Sequence, residues 1–440
     1  MSHVLVCSTP APGHVNPMLT IASSLAERGY DITFTTSDVF QAQVETAGLT
    51  FVPLRGKANF DYQALDQHFP ERLQIPVGVP RLIHGFQHAF FDMIPDQHQT
   101  IQSVMDHSPV DLILTDTTFL GTFPLLLDPT RERPPVVSCG ITVLFLTSHD
   151  RPPVGAPSRP GEEARDYLRE HYEFQAALRP ADEYLDRVLT NLQVPPFLGF
   201  FLDALHALPD RYLQLTGDGF EFPCHDLPKK IRFVGPVTPS LSNGFEEPDW
   251  WSTLDSGKPV ILVTQGTIAN LDLSELLEPT LQALADEEVT VIASLGTAGP
   301  KPLSIPVPPN ARVVPFVPFD RLMPKISLFI TNGGYGSVNQ ALQNGVPLIV
   351  AGATEDKPFV AARVAWSGSG LDLETERPTA DQIRYAVRTL LANDSFQMNA
   401  QKMAENFRQY RALDHIAAEV EWQIRRALER EVLYSVVAEG

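Results

Sequence analysis

Short apolar runs alternate along the chain with stretches in which apolar residues return at helical spacing. The runs predict strands at residues 4–8, 31–36, 111–115 and 135–138 in the first half, and at 260–264, 289–294, 312–314, 328–331 and 348–351 in the second. Apolar strands that alternate with helices are typical of parallel sheets covered on both faces. The pattern therefore predicts an α/β protein with two doubly wound, Rossmann-like sheets.

The regions between these strands divide the chain further. Residues 55–107 carry weaker strand signals, and residues 150–210 form a Pro-, Arg- and Glu-rich insertion with helical stretches. In doubly wound domains such insertions lie over the strand ends and shape a ligand cleft. Asn16 is predicted to cap the first helix, with Pro17 at its first position.

Turn-forming residues separate the two halves. Gly and Pro in residues 235–240, followed by Asn243 and Gly244, indicate a linker. We expect a first domain at residues 1–235, a linker at 236–257, a second domain at 258–410 and a C-terminal helix at 411–440.

Charge and composition exclude several classes of protein. With 33 basic and 53 acidic residues, the chain carries a net charge of −20, which argues against nucleic acid and against an anionic membrane surface as partners. No apolar run approaches the ~18 residues that a membrane span requires, and the first residues lack the pattern of a signal peptide. The three cysteines show no zinc spacing, so we expect a cytoplasmic protein without stable membrane anchoring.

A glycine-rich turn follows the strand predicted at 328–331. It comprises Asn332-Gly333-Gly334-Tyr335-Gly336-Ser337 and leads into a helix with Val338, Ala341 and Leu342 on its apolar face. Free amides and the positive end of the helix dipole make such a turn suitable for an anion such as a diphosphate. Neither half contains the G-x-G-x-x-G fingerprint, which argues against a dinucleotide oxidoreductase.

This stretch and its surroundings resemble the family 1 UDP-dependent glycosyltransferases, and most closely their bacterial macrolide-type branch. The second-half motifs W-x-P-Q, H-x-G-x-x-S/T, G-V-P and D/E-Q correspond here to Phe316-Val317-Pro318-Phe319, Asn332 to Ser337, Gly345-Val346-Pro347 and Asp356-Lys357. The N-terminal motif G-H-x-x-P is intact as Gly13-His14-Val15-Asn16-Pro17. The resemblance implies the GT-B fold, in which the two domains face each other across the active-site cleft. It also implies an acceptor-binding first domain, a donor-binding second domain and a last helix that crosses back to the first.

The same resemblance implies catalytic roles for two residues. His14 would be the general base that deprotonates an acceptor hydroxyl, and Asp116 would orient its imidazole. The implied activity is that of an inverting O-glycosyltransferase, a hexosyltransferase with UDP-glucose as the first candidate donor.

Donor-binding roles are implied for a larger set of second-domain residues. Gly266, Thr267, Asn332, Gly334, Gly336 and Ser337 would contact the diphosphate, and Gln340 the ribose. Phe316 would stack on the base, unless it packs in the core, and Val317 would pair with the edge of the base through its main chain. Asp356 and Lys357 would contact the sugar.

Three of these positions depart from the family pattern. Asn332 replaces a histidine, Gln340 a glutamate and Lys357 a glutamine. Gln340 therefore leaves a dTDP-sugar open beside a UDP-sugar. Lys357 allows two interpretations. In the first, its ammonium pairs with Glu355 or Asp356 or donates to a neutral hexose such as glucose; in the second, it meets the carboxylate of an acidic sugar.

Aromatic residues in the first half suggest a small, largely apolar natural product as the acceptor. The acceptor side is predicted to include Phe60, Phe86, Phe90, Phe119 and Phe145. No Asp-x-Asp pair occurs, so we expect neither a metal nor another cofactor. The alternatives are a catalytically inactive nucleotide-sugar-binding protein or a nucleotide-sugar epimerase of the same fold. The chain is expected to be a monomer or a homodimer.

Overall fold

The computed structural model describes residues 1–130, 132–159, 162, 165–238, 245–267, 270, 272–296 and 302–438, with side chains as far as residue 430. Its described strands form two sheets in which every pair is parallel. This confirms the predicted fold class of two doubly wound α/β domains. No helix in the described part of the chain is long and apolar enough to cross a membrane.

The first sheet has seven described strands in the order β3-β2-β1-β4-β5-β6-β7. Their bounds are β1 His3–Cys7, β2 Asp31–Thr36, β3 Thr50–Pro53, β4 Leu112–Asp116, β5 Val136–Gly140, β6 Arg211–Gln214 and β7 Ile231–Phe233. The strand order reverses between β1 and β4. In open parallel sheets, the crevice at such a reversal is where ligands bind.

The second sheet has six described strands in the order β10-β9-β8-β11-β12-β13. Their bounds are β8 Val260–Thr264, β9 Thr290–Ser294, β10 Ala311–Val314, β11 Leu328–Thr331, β12 Leu348–Val350 and β13 Gly370–Asp372. Its order reverses between β8 and β11, so each domain has one crevice of this kind.

Helices cover both faces of the sheets. Their bounds are α1 Pro12–Glu27, α2 Gln41–Thr46, α3 Leu65–His68, α4 Val79–Gly85, α5 Ile94–His107, α6 Phe123–Leu127, α7 Leu168–Asn191, α8 Phe201–Ala207, α9 Leu277–Leu284, α10 Phe319–Leu322, α11 Tyr335–Gln343, α12 Lys357–Trp366, α13 Ala380–Ala392, α14 Asp394–Phe407 and α15 Ala412–Ala438.

The last helix, α15, packs against the first sheet. Ile416, Val420 and Ile424 are buried in the core that α1 and the first strands share. At the surface Arg28, which follows the last residue of α1, donates to Asp414 of α15 over 2.5 Å. The C-terminal helix therefore crosses back to the first domain, while the exact domain boundaries stay predictions.

Several sequence predictions need correction. The first helix begins at Pro12, with Ala11 as its N-cap, so Pro17 lies inside the helix and Asn16 caps nothing. Pro12 already supplies the preset φ that favours a first helical position, which moves the start back. The pattern also missed four short strands, β3, β6, β7 and β13, each of three or four residues. Residues 239–244 of the predicted linker lie outside the described residues.

Candidate active site

The topology brings His14 and Asp116 together. Strands β1 and β4 are neighbours in register, with Cys7 opposite Thr115. Asp116 is the last residue of β4, and His14 is the third residue of α1, the helix that follows β1. Both residues therefore lie at the carboxyl edge of the first sheet, at the reversal of strand order.

The two side chains are in contact. Nδ1 of His14 lies 3.2 Å from Oδ1 of Asp116. The Asp116 side chain is fully buried, whereas 23% of the His14 side chain is exposed. With Nδ1 directed at the carboxylate, the other ring nitrogen is the one available to a substrate.

Asp116 is held as a carboxylate by a dense set of donors. The amide of Thr9 donates to Oδ2 over 2.6 Å, and the amide of Thr118 donates to Oδ1 over 2.9 Å. Hydroxyl donors come from Ser8, Thr9 and Thr118. Burial alone would raise the pKa of Asp116, but the nearby His14 and these hydrogen bonds outweigh it and hold the pKa below its usual value. The carboxylate is therefore charged and fixed in position beside the imidazole.

In the second domain, glycine-containing turns follow two adjacent strands at the carboxyl edge of the sheet. Gly266 and Thr267 follow β8, and Asn332 to Gly334 follow the adjacent β11. Gly266 and Gly333 have φ values of 76° and 92°, which favour glycine. Helix α11 then starts at Tyr335 with no acidic residue in its first turn. First-turn amides have no partner within a helix, so this end suits an anion.

Asn332 joins these two turns. Its Nδ2 donates to the main-chain oxygen of Gln265 over 2.5 Å, and the residue is only 9% exposed. One of its two N–H groups is therefore engaged in holding the turns together. Ser337 donates its hydroxyl to the carbonyl of Gly334 over 2.8 Å. One helical turn further along α11 lies Gln340, which is half-buried.

Two further glycines, which the sequence analysis missed, shape the same edge. A Cβ at Gly352 would stand 2.0 Å from the main-chain oxygen of Asn332, and one at Gly296 would stand 2.1 Å from that of Gly266. Both contacts are with backbone, so no side chain fits at either position. Their position in the sequence could have identified them, because each glycine comes two residues after the end of a strand of the second sheet.

Phe316 and Val317 lie between β10 and α10. Phe316 is 63% exposed, which excludes core packing and leaves its ring available for stacking. Val317 is 1% exposed, and its side chain packs in a core cluster of the second domain. Among the hydrogen bonds of the described residues, none uses the Val317 amide or carbonyl.

The loop that leads into α12 carries the residues predicted to meet the sugar. Lys357 is buried, and its Nζ donates to Oε2 of Glu355 over 2.5 Å. Burial alone would lower the pKa of Lys357, but Glu355 and Asp356 raise it above its usual value. The ammonium is therefore already paired, which favours the interpretation that Lys357 pairs with Glu355 over contact with an acidic sugar.

Hydrogen bonds between the domains hold the loop before α12 and the turn after β8 against the first domain. Thr142 donates its hydroxyl to Oδ2 of Asp356 over 2.6 Å. Gln63 donates to the main-chain oxygen of Thr267 over 3.3 Å. These two hydrogen bonds bring the loops at the carboxyl edge of the second sheet against the first domain.

The predicted acceptor-side aromatics divide into two groups. Phe119 and Phe60 are 1% and 7% exposed, and both pack in a core cluster of the first domain. Phe86 and Phe90 are half-buried, and Phe145 packs edge-on against Phe359 of the second domain. For all five, a role in acceptor binding stays a prediction.

Tyr62 lies beside the predicted acceptor-side aromatics. Its amide donates to the carbonyl of Pro10, just before α1, over 3.4 Å. Its ring packs on Phe60 and Phe90. Burial raises the pKa of the Tyr62 phenol, and the charge of Glu355 raises it further. Tyr62 therefore lies beside Phe60 and Phe90 and close to Glu355 in the loop before α12.

Comparisons with known proteins agree with this geometry. Residues 278–420 match the family "Erythromycin biosynthesis protein CIII-like, C-terminal domain". The chain is 36% identical to the 4'-demethylrebeccamycin synthase of Lentzea aerocolonigenes, over 92% of this chain and 96% of that protein. It is 35% identical to the UDP-glucosyltransferase B1 of Starmerella bombicola, over 93% of this chain and 96% of that protein.

Solved structures share the fold at lower identity. The calicheamicin glycosyltransferase CalG4 superposes with a TM-score of 0.72 at 22% identity, over 97% of this chain and 99% of that one. The spinosyn rhamnosyltransferase SpnG, solved with thymidine diphosphate, superposes with a TM-score of 0.66 at 18% identity, over 96% of this chain and 100% of that one. Identity above 30% over nearly the whole length establishes more than the fold: the chain belongs to the family 1 UDP-dependent glycosyltransferases, as a nucleotide-sugar-dependent enzyme of the GT-B type.

Proposed function

We propose that this glycosyltransferase is inverting and metal-independent, and that it moves glucose from UDP-glucose to a hydroxyl group of a small apolar natural product. The observation that carries the proposal is the contact between His14 and the buried carboxylate of Asp116, at 3.2 Å. The pair lies at the carboxyl edge of the first sheet, and the anion-binding turns lie at the carboxyl edge of the second.

The His14 imidazole acts as the general base. The proton on Nδ1 points to Asp116, so Nε2 carries the lone pair and accepts the proton of the acceptor hydroxyl. As the acceptor oxygen bonds to the anomeric carbon, the bond from that carbon to the diphosphate oxygen breaks. Attack opposite the leaving group inverts the anomeric centre. The Asp116 carboxylate stabilises the imidazolium that forms.

The leaving diphosphate gains negative charge in this step. The first-turn amides of α11 and the hydroxyl group of Thr267 stabilise that charge at the end of the helix dipole. The Ser337 hydroxyl adds to them by turning from the carbonyl of Gly334 to the diphosphate. These groups supply the stabilisation that a divalent ion gives in other transferases, so the reaction is proposed to need neither metal nor cofactor. In the described part of the chain, the one group of three candidate ligands is Asp150, Cys224 and Asp226, which includes no predicted site residue.

Donor and acceptor classes follow from the two sides of the cleft. The exposed ring of Phe316 is free to stack on a pyrimidine, and the paired Lys357 suits a neutral hexose. UDP-glucose is the proposed donor because a relative at 35% identity is named a UDP-glucosyltransferase; a dTDP-sugar is the alternative. The half-buried aromatic rings of Tyr62 and Phe90 support an apolar acceptor. The free cysteines among the described residues are consistent with a cytoplasmic enzyme.

Mass-spectrometric screening tests the proposal. Purified protein is incubated with UDP-glucose, dTDP-glucose or UDP-glucuronate and with panels of phenols, macrolides and sterols. We expect a mass increase of one hexose on at least one acceptor with UDP-glucose, and NMR should show the inverted anomeric configuration. Release of free sugar isomers without transfer would instead identify an epimerase, and binding without turnover an inactive homologue.

A further inference from the structure

Arg72 reaches from the first domain towards the donor side of the cleft. It belongs to the short helical segment Pro70–Gln74. Its Nη1 donates to Oδ1 of Asp66 over 2.6 Å, and only 14% of its side chain is exposed. Its Nη2 lies 3.9 Å from Oε1 of Glu355 in the second domain. The guanidinium is therefore held in one orientation, directed across the cleft.

Glu355 is itself held in an unusual conformation. Its φ is 58°, in the left-handed region that residues other than glycine rarely adopt. Such strained residues persist where the surrounding structure fixes them, and they concentrate at functional sites. Lys357 occupies one carboxylate oxygen, Oε2. The other oxygen, Oε1, faces Arg72 at a distance too long for a direct hydrogen bond.

The separation between Arg72 and Glu355 fits a bridging hydroxyl group. An oxygen atom beside both groups can stand about 2.9 Å from Nη2 and about 2.9 Å from Oε1. There it accepts from the guanidinium and donates to the carboxylate, and both hydrogen bonds are strengthened by charge. A neutral hydroxyl suits this pair better than an acidic substituent, because the carboxylate repels an anion.

We propose that Arg72 and Glu355 together bind one hydroxyl group of the donor sugar, which makes Arg72 a donor-specificity residue supplied by the first domain. The inference rests on the proposed function, in which the loop at residues 355–357 faces the sugar. It also assigns different domains to the two parts of the donor. The nucleoside diphosphate is bound by the second domain alone, whereas the sugar is bound by both domains.

Binding measurements on the full chain test this inference. Calorimetric titrations with UDP-glucose, dTDP-glucose, UDP and dTDP compare the wild type with Arg72→Gln. We expect the affinity for the nucleotide sugar to fall roughly 10-fold, the effect of a lost hydrogen bond to a charged group. The affinity for the matching nucleoside diphosphate should change less than about twofold. Arg81→Gln is the control, because the hydrogen bonds that the structure describes for Arg81 go to the main-chain oxygen of Ile75.

Deoxy and fluoro analogues of the sugar identify the hydroxyl group. For the analogue that lacks it, Arg72→Gln should cause no further loss, because the two changes remove the same interaction. Arg72→Lys keeps the charge but loses the planar fork, and it serves if the glutamine variant does not fold. We expect a loss of about threefold or more in nucleotide-sugar affinity for this variant.

Two outcomes overturn the inference, and they differ in meaning. Suppose that the wild type binds nucleotide sugars, and that neither Arg72 variant lowers the affinity for them more than the affinity for the nucleoside diphosphate. Then only the role of Arg72 is wrong. If the wild type binds none of the four ligands, the proposed function fails and the inference fails with it.

Discussion

Glu221 of the first domain and Arg363 of the second form a buried ion pair across the domain interface. Nε and Nη2 of Arg363 lie 2.8 Å and 2.7 Å from Oε2 of Glu221. The side chains are 1% and 5% exposed. Arg151 lies 3.6 Å from the same oxygen, and the amide of Leu144 donates to Oε1 over 2.9 Å. One carboxylate thus connects α12 to two segments of the first domain.

Glu221→Gln should destabilise the protein markedly. Removal of the charge leaves two buried guanidinium groups without their partner, and breaking a buried pair of this kind costs about 3–5 kcal/mol. Urea unfolding at neutral pH measures the change. Glu183→Gln, at an ion pair whose side chains are 77% and 59% exposed, is the matched control and should cost less than about 1 kcal/mol. Equal costs for the two variants would contradict the structural role of the buried pair.

His14→Ala should lower transfer roughly 10²–10⁴-fold, because general-base catalysis contributes that much. Binding of UDP should stay nearly unchanged, since the proposed diphosphate contacts are in the second domain. Steady-state kinetics with an unactivated alcohol and calorimetry with UDP separate the two effects. The exposed His107 provides the control variant His107→Ala, which should retain full activity. Near-normal turnover by His14→Ala would remove His14 from the mechanism.

Asp116→Asn should act on the same step as His14→Ala and cost less than that variant. If the two residues act as one unit, the double variant is as slow as His14→Ala alone. Additive losses would mean that they act independently.

Asp116 also predicts a pH dependence of stability. Its pKa is lowered in the folded state, so the ionised carboxylate stabilises the fold above the usual carboxyl range, and this contribution is lost as the pH falls through the lowered pKa. The difference in unfolding free energy between wild type and Asp116→Asn should therefore shrink as the pH falls below about 4. Urea titrations at several pH values measure it. A difference that grows as the pH falls below about 4 would have the opposite sign and would contradict the lowered pKa of Asp116.

Activity should survive a strong chelator. The proposed stabilisation of the leaving diphosphate comes from α11 amides and hydroxyl groups rather than from a divalent ion. Initial rates with and without EDTA check this expectation. Loss of activity in EDTA with recovery on addition of magnesium or manganese would reveal a metal-dependent reaction.

Lys357→Gln should lower transfer without changing the choice between neutral and acidic sugars. The ammonium is already paired with Glu355, so the wild type is expected to prefer UDP-glucose to UDP-glucuronate. The variant removes the ion-pair partner of Glu355, so both rates should fall together. Comparing kcat/KM for the two donors in the wild type and the variant distinguishes the two interpretations of Lys357. A wild-type preference for UDP-glucuronate that disappears in the variant would establish the acidic-donor reading instead.

Local sequence determined the elements that carry chemistry. The apolar runs before Gly266 and Asn332 are long enough to be recognised as strands, and glycines with positive φ mark the turns that follow them. The pattern failed where a short strand lacks a continuous apolar run: β7 and β13 have three residues each and include Arg232 and Asp372, whereas the equally short β12 is apolar throughout and was predicted. The start of α1 was misplaced because both Pro12 and Pro17 suit a first helical position.

The tertiary structure decided which of these residues meet. His14 and Asp116 are 102 positions apart in the chain, and parallel pairing of β1 with β4 places them 3.2 Å apart. The exposure of two phenylalanines also depends on the tertiary structure: Phe316 is exposed and Phe119 is buried, although both lie in apolar segments. The Arg72–Glu355 and Glu221–Arg363 contacts depend on how the two domains are oriented. The sequence alone determined the fold class and the local turns, because these follow from spacing and backbone preference. Pairings between distant residues and between domains required the tertiary structure, because they depend on strand order and packing.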